Sequence, residues 1–306
     1  MRGAVTFTWI ALGAALGVAC GAGSEPATVT PVALPAVSST ASPAPTPPTP
    51  AAPIEAPPEG PLGEAVRDAA AAALPPRDAA TEVFLEAYAL EKKRDLAGAR
   101  RRYYDLITKH PGSAAIPQAY LAFGELFFAE AEADPSKREL AAQAYREVVK
   151  YPPPGNAVHA FALLRLGEGF ARAHDGPNAL SSLRKALDAL AQHPGSPEAA
   201  RVERAAVQGL VTAYAESGRP EAAAAFFRAS HLDVPAALAK LIAEYRRIGD
   251  PRPTLVAASA ALDVGKHPDL CREAGLAARE ASGGADRAVA QAARDLEQKQ
   301  RATCGP

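Results

Sequence analysis

The chain has few aromatic side chains and little sulfur. Only 6% of its 306 residues are Phe, Trp or Tyr, and it contains one Trp, one Met and three Cys. So few rings, set against abundant alanine, argue against sheet and for helix. No pair of cysteines has CxxC or Cys/His zinc spacing, so no metal centre is expected. Positive charge is not in excess. Lys and Arg number 33 against 34 Asp and Glu, for a net charge of −1 and a pI near 6.6. That balance gives no basic footprint for nucleic acid. GxSxG, HExxH and phosphate-loop sequences are missing. Gly167-x-Gly169 has no strand before it and lies within a helical pattern, so it is no nucleotide loop. No catalytic residue, cofactor or small-molecule substrate is expected.

Lysine is absent before Lys92, and the early chain falls into two unlike parts. Residues 4–19 carry no charge and are mostly apolar, behind the single Arg2. A membrane span needs about 20 apolar residues, so this stretch reads as a signal peptide. It ends Leu16-Gly17-Val18-Ala19-Cys20-Gly21. This resembles a bacterial lipoprotein signal, in which the cysteine after the cut carries lipid. Gly17 departs from that pattern, whose aliphatic residue sits here one position early, at Leu16. Gly21 rather than Asp after the cysteine implies the outer membrane, facing the periplasm. The alternative is plain secretion with cleavage nearby. With Cys20 lipidated, Cys271 and Cys304 remain as an even pair for an oxidising compartment, either bridged or as two thiols.

From Ser24 to about Pro76 the chain holds about half of its 29 prolines, in runs such as SPAPTPPTPAAP. Such a segment lacks the apolar residues for a core and is expected to be a disordered, extended tether, reaching up to ~100 Å. An Ala-rich helix over 63–74 is expected to interrupt it.

Beyond it, HPGS occurs at His110–Ser113 and again at His193–Ser196, with HPDL at His267–Leu270. Prolines at 111, 152, 194, 235 and 268 follow one another at 41, 42, 41 and 33 residues. A period of this size predicts stacked helical hairpins, each closed by a proline that cannot continue the helix. His110, His193 and His267 are then helix C-termini, where imidazolium suits the dipole. The third period shows the pattern best. Leu163, Leu166 and Phe170 recur on one face, His174-Asp175-Gly176-Pro177 turns the chain, and Ala179, Leu183 and Ala186 recur on the second helix.

Leu166-Gly167, Phe170, Ala179 and Ala186 resemble the tetratricopeptide repeat (TPR). Phe123-Gly124, Phe127, Ala141 and Tyr145 do so in the second period, and Leu210, Tyr214, Ala223 and Phe227 in the fourth. The resemblance covers roughly residues 79–265 and implies an all-α solenoid of about five hairpins. The expected organisation is a signal peptide over 1–19, a lipidated tether over 20–76, repeats over 77–266 and a C-terminal helical cap over 267–306. KHPGSAAIPQAYLAFGELFF is similar to the start of a repeat in two periplasmic lineages. One is the lipoprotein of the outer-membrane β-barrel assembly machine (BamD-like). The other is the coordinator of the Tol–Pal system (YbgF-like). Such repeats imply a protein-binding scaffold whose partners are cell-envelope proteins or peptides. Carried onto matched positions, the TPR concave groove would be lined by Phe84, Tyr88, Gln118, Leu121, Glu125, Phe128, Leu164, Glu168, Arg172, Gln208 and Thr212. Glu125 and Glu168 lie one repeat apart, which fits a lined groove better than an acid/base pair. The alternative is that adjacent helices or the tether cover several of these positions.

Overall fold

The turns inside the hairpins explain why the chain folds back where it does. In the computed structural model, which describes residues 61–75 and 78–305, Arg94 and His174 both adopt left-handed backbone, with φ of 65° and 56°. Each is followed by an aspartate whose amide closes back on the preceding helix. Asp95 N donates to Leu90 O and Asp175 N to Phe170 O, both at 2.9 Å. The same aspartates then cap the next helix: Asp95 accepts from Gly98 N at 2.8 Å and Asp175 from Asn178 N at 3.3 Å. One residue pair therefore ends one helix and starts the next. Asp233, Asp250 and Asp286 cap later helices in the same way.

The described residues form thirteen α-helices, one 3₁₀ turn (Pro220–Ala222) and no strand. The first helix is α1 (Leu62–Ala72). Six hairpins follow. They are α2 (Ala79–Lys92) with α3 (Leu96–Lys109), α4 (Ile116–Glu130) with α5 (Lys137–Val149), and α6 (His159–Arg172) with α7 (Gly176–Gln192). Then come α8 (Ala199–Ser217) with α9 (Ala223–Ala229), α10 (Val234–Ile248) with α11 (Pro251–Leu262), and α12 (Pro268–Ser282) with α13 (Arg287–Cys304). Each hairpin packs on the next, and from α6 onward first helices stack on first helices: α6 on α8, α8 on α10 and α10 on α12. This is an all-α solenoid of five hairpins with a sixth as its C-terminal cap.

Small residues let the two helices of a hairpin approach. A Cβ on Gly124 would lie 2.4 Å from the Tyr145 ring, and one on Gly167 would lie 2.5 Å from the Leu183 side chain. Tyr145 and Leu183, 2% and 0% exposed, fill the space these glycines leave. The core is continuous into the cap, where Leu270, Ala274, Val289 and Leu296 join the cluster built by Leu238, Leu241 and Leu255. Cys271, near the start of α12, is bonded to Cys304 at the end of α13, with Cα atoms 5.9 Å apart.

The two HPGS copies form the same turn. Ser113 N donates to His110 O at 3.0 Å and Ser196 N to His193 O at 3.1 Å. A second bond follows in each, Ile116 N to Ser113 O and Ala199 N to Ser196 O, both at 3.2 Å. His110 and His193 are the C-caps of α3 and α7, as expected. His267 differs: it is the N-cap of α12, and Pro268 is that helix's first residue. Pro235 likewise stands at the start of α10, not past the end of α9. Proline suits a helix's first turn, where its missing N–H has no intrahelical partner to lose, as well as the position just after a helix. The fourth hairpin also has a short second helix of 7 residues.

The signal peptide, Cys20 and residues 20–60 lie outside the described residues. Within the segment read as tether, residues 62–72 are helical, close to the expected 63–74, and α1 packs against α4. Among the described residues, packed helix therefore starts at α1, ahead of residue 77.

Candidate interaction face

The first helices α2, α4 and α6 present one face, and α1 is seated on it. Val66 and Ala70 fall one and two turns along α1 from Leu62 and Gly63, so its small and apolar residues share a stripe. Val66 and Ala70, 0% and 1% exposed, pack in one cluster with Leu121 of α4. Leu74, just past α1, joins the cluster of Ala80 and Phe84. At the other end Gly63 lies against the ion pair of Glu125 and Arg165. A Cβ there would stand 2.2 Å from a Glu125 carboxylate oxygen and 2.8 Å from an Arg165 nitrogen. A side chain there would have to push the Glu125 and Arg165 side-chain ends aside.

Polar contacts flank the stripe. The Tyr88 hydroxyl donates to Asp68, and Lys92 Nζ donates to Glu64 and lies 3.2 Å from Asp68 Oδ1. Arg67 pairs with Glu91, which also accepts from the Tyr103 hydroxyl at 3.0 Å. Lys92 Nζ sits 5.2 Å and Arg67 Cζ 5.9 Å from the Tyr88 ring centroid, within cation–π range. The hydrogen bond from Tyr88, with Lys92 alongside, holds the Asp68 carboxyl below its ordinary pKa. Burial and the Asp68 carboxylate push the Tyr88 phenol up to about 12.

Beyond the end of α1 the face is built on charge. Arg165 grips Glu125 with two parallel bonds, Nε to Oε1 at 2.9 Å and Nη2 to Oε2 at 2.8 Å. Its third nitrogen donates to Glu168 Oε2 at 2.9 Å, and the buried Tyr145 hydroxyl donates to Glu125 Oε1 at 2.6 Å. Burial opposes the Arg165 charge, but Glu125 and Glu168 outweigh it and raise the pKa. Burial, followed by the Glu125 charge, raises the Tyr145 phenol. The Phe128 ring lies under two guanidiniums, with Arg165 Cζ at 4.6 Å and Arg172 Cζ at 4.5 Å from its centroid. Beside it opens a cleft of about 510 Å³ lined by Phe128, Arg138, Tyr145, Phe170 and Arg172 among others.

These contacts sort the eleven residues matched to the TPR groove. Tyr88, Leu121 and Glu125 meet α1 directly, and Phe84 packs against Leu74 beyond it. Leu164 is fully buried among hydrophobic residues and lines no open surface. Gln118 is buried, and its side-chain oxygen has no hydrogen-bond partner. Phe128, Glu168 and Arg172 form the guanidinium-flanked patch. Gln208 is exposed on α8, where its amide approaches Thr212 Oγ1 at 3.5 Å.

No protein-family model matches this chain, and no curated protein aligns with it. Function must therefore be read from the side chains. Sequence reasoning placed Glu125 and Glu168 on one face but passed over Arg165, which joins them. The signal was present: Arg165 stands three residues before Glu168, one helical turn, and 40 residues after Glu125, about one repeat. The repeat resemblance includes Tyr145, but its hydroxyl bond to Glu125 depends on burial that the repeat pattern does not encode. Among the described residues, no group of three or more His, Cys, Asp or Glu is placed to hold a metal ion, and no helix is long and apolar enough to cross a membrane.

Proposed function

We propose that this chain is a TPR-type scaffold lipoprotein. In this reading it is held at the outer membrane by lipid on Cys20, faces the periplasm, and captures helices or peptides of other envelope proteins on the face of α2, α4, α6 and α8. The observation that carries the reading is α1 itself. A helix is seated on that face through Tyr88, Leu121 and Glu125, residues placed there by the repeat register alone. Helix-in-groove recognition uses apolar anchors at helical spacing with polar flanks, which is how α1 is held. Farther along, Phe128, Arg172, Gln208 and Thr212 offer an aromatic–cationic and polar continuation for a longer ligand. The Cys271–Cys304 bridge supports an oxidising compartment. No catalytic role is assigned. Both periplasmic lineages stay open as readings: the lipid-anchor signal and five hairpins suit the β-barrel assembly lipoprotein, which usually lacks so long a tether, and the Tol–Pal coordinator usually carries an N-terminal coiled coil, while the Cys271–Cys304 cap belongs to neither pattern.

Photo-crosslinkers placed at Phe128 and at Gln208 test the reading in intact cells. Covalent adducts with envelope proteins are expected at both positions. Palmitate labelling should disappear in Cys20→Ala. Absence of adducts at both positions would remove the scaffold role from this face, and labelling that survives the substitution would remove the anchor.

A further inference from the structure

The position of α1 bears on how the face is used. It is a helix of 11 residues, shorter than the ~12–15 that an isolated helix needs to be even marginally stable in water. Its fully buried side chains are small, Val66 and Ala70, with Gly63 adding none. Its outer ion pair, Lys92 with Glu64, is 41% and 47% exposed and contributes little. Its inner pair, Arg67 with Glu91, is 15% and 10% exposed and holds more, so a short helix is seated by two small apolar side chains and a few polar bonds. The face beneath it is different: Tyr88 and Leu121 are large, and Glu125 is already locked by Arg165. Without α1, Leu121 would lose the cover of Val66 and Ala70, and Tyr88 that of Asp68, beside Glu91 and Lys92, and an uncovered apolar patch with a polar rim is the kind of surface that marks a binding site. What keeps the short helix in place is attachment. Few residues separate α1 from α2, so its effective concentration at the face is of millimolar order.

We infer that α1 is a built-in stand-in ligand that latches the α2–α4–α6 face, and that the partner which displaces it is a helix bearing the same print. That print is a glycine or other very small residue, an apolar residue three positions on and an alanine seven positions on. Acids follow the glycine at positions one and five, and a base at position four. In α1 these are Gly63, Val66, Ala70, Glu64, Asp68 and Arg67. Each position answers a feature of the face. The glycine fits under the Glu125–Arg165 pair, and the apolar pair meets Leu121. The acids meet Lys92 and Tyr88, and the base meets Glu91. This inference deepens the helix-capture reading above and rests on it.

The test uses the full-length chain and a fluorescein-labelled synthetic peptide of residues 60–75 as the probe. Gly63→Leu drives a side chain into the Glu125 carboxylate, and Val66→Glu puts a charge opposite Leu121. Both change only residues of α1; Val66→Glu is the variant that also leaves the Glu125–Arg165 pair alone. Fluorescence anisotropy should show the peptide binding either opened chain about 10–100-fold more tightly than wild type, the factor expected when roughly 90–99% of the face is occupied in cis. A peptide with the order of its residues scrambled should not bind. Equal affinity for wild-type and opened chains, or no binding to either opened chain, overturns the latch. A concentration-dependent dimer of the wild-type chain, broken by Gly63→Leu, would also overturn it, since α1 would then sit on another copy. The two readings separate. Peptide binding without any gain in envelope adducts on opening keeps the latch and removes helix capture. New adducts on opening without peptide binding remove the latch's print and keep the scaffold.

Discussion

Replacing Arg165 with alanine should destabilise the middle of the solenoid by about 3–5 kcal/mol, because it strands a buried carboxylate. Glu125 is 9% exposed and takes both guanidinium bonds from Arg165, leaving only the Tyr145 hydroxyl as a donor once Arg165 is gone. A charge left in so dry a place costs far more than the pair contributed while intact. The double variant Glu125→Gln with Arg165→Met should recover most of the loss, since neither partner then carries an unmet charge and Tyr145 keeps an acceptor. Urea unfolding of the two variants measures the difference. Arg165→Ala within about 0.5 kcal/mol of wild type would mean that water reaches Glu125, and the description of a buried network would be wrong. The substitution should also loosen α1, whose Gly63 rests against the same pair. Faster amide exchange in 62–72 would report it.

Reducing the Cys271–Cys304 bridge is the second large effect. The bridge spans 33 residues, and closing a loop of that length is worth about 3–4 kcal/mol in the chain-entropy model. α13 depends on it because its own anchoring is thin: only Val289, Ala293 and Leu296 are buried in 18 residues. Solenoid stability is transmitted between neighbours and not shared globally. The loss should therefore be local. Hydrogen exchange after reduction should rise in α12 and α13 and hold steady in α4 to α7. Unchanged exchange throughout α13 would show that packing alone holds the cap.

What could be read in advance divides along physical lines. Hairpin positions were legible because helix length, turn and proline recur together. The His174-Asp175 turn could be placed to the residue, and so could the HPGS boundaries. Pro235 and Pro268 misled because proline is compatible with both sides of a helix boundary, and spacing alone does not say which. On this face, register assigns Tyr88 to α2 and Leu121 and Glu125 to α4, but does not say what lies on them. The seating of α1 depends on Gly63 meeting a carboxylate held by an arginine from the next hairpin. That is a three-body arrangement across about a hundred residues of sequence, which no local pattern records. Leu164 failed as a surface residue for a related reason: its burial is decided by the neighbouring hairpin.

The central claim is that the chain's own α1 occupies the α2–α4–α6 face, and zero-length carbodiimide coupling of the unmodified protein tests it directly. Such coupling joins only amines and carboxylates in contact. The account predicts an intramolecular bond from Lys92 to Glu64 or Asp68, found by peptide mass mapping of the monomer, alongside one from Lys299 to Asp263, whose groups lie 2.7 Å apart in the cap. Recovery of the Lys299–Asp263 link with no link from Lys92 to either acid of α1 would contradict it.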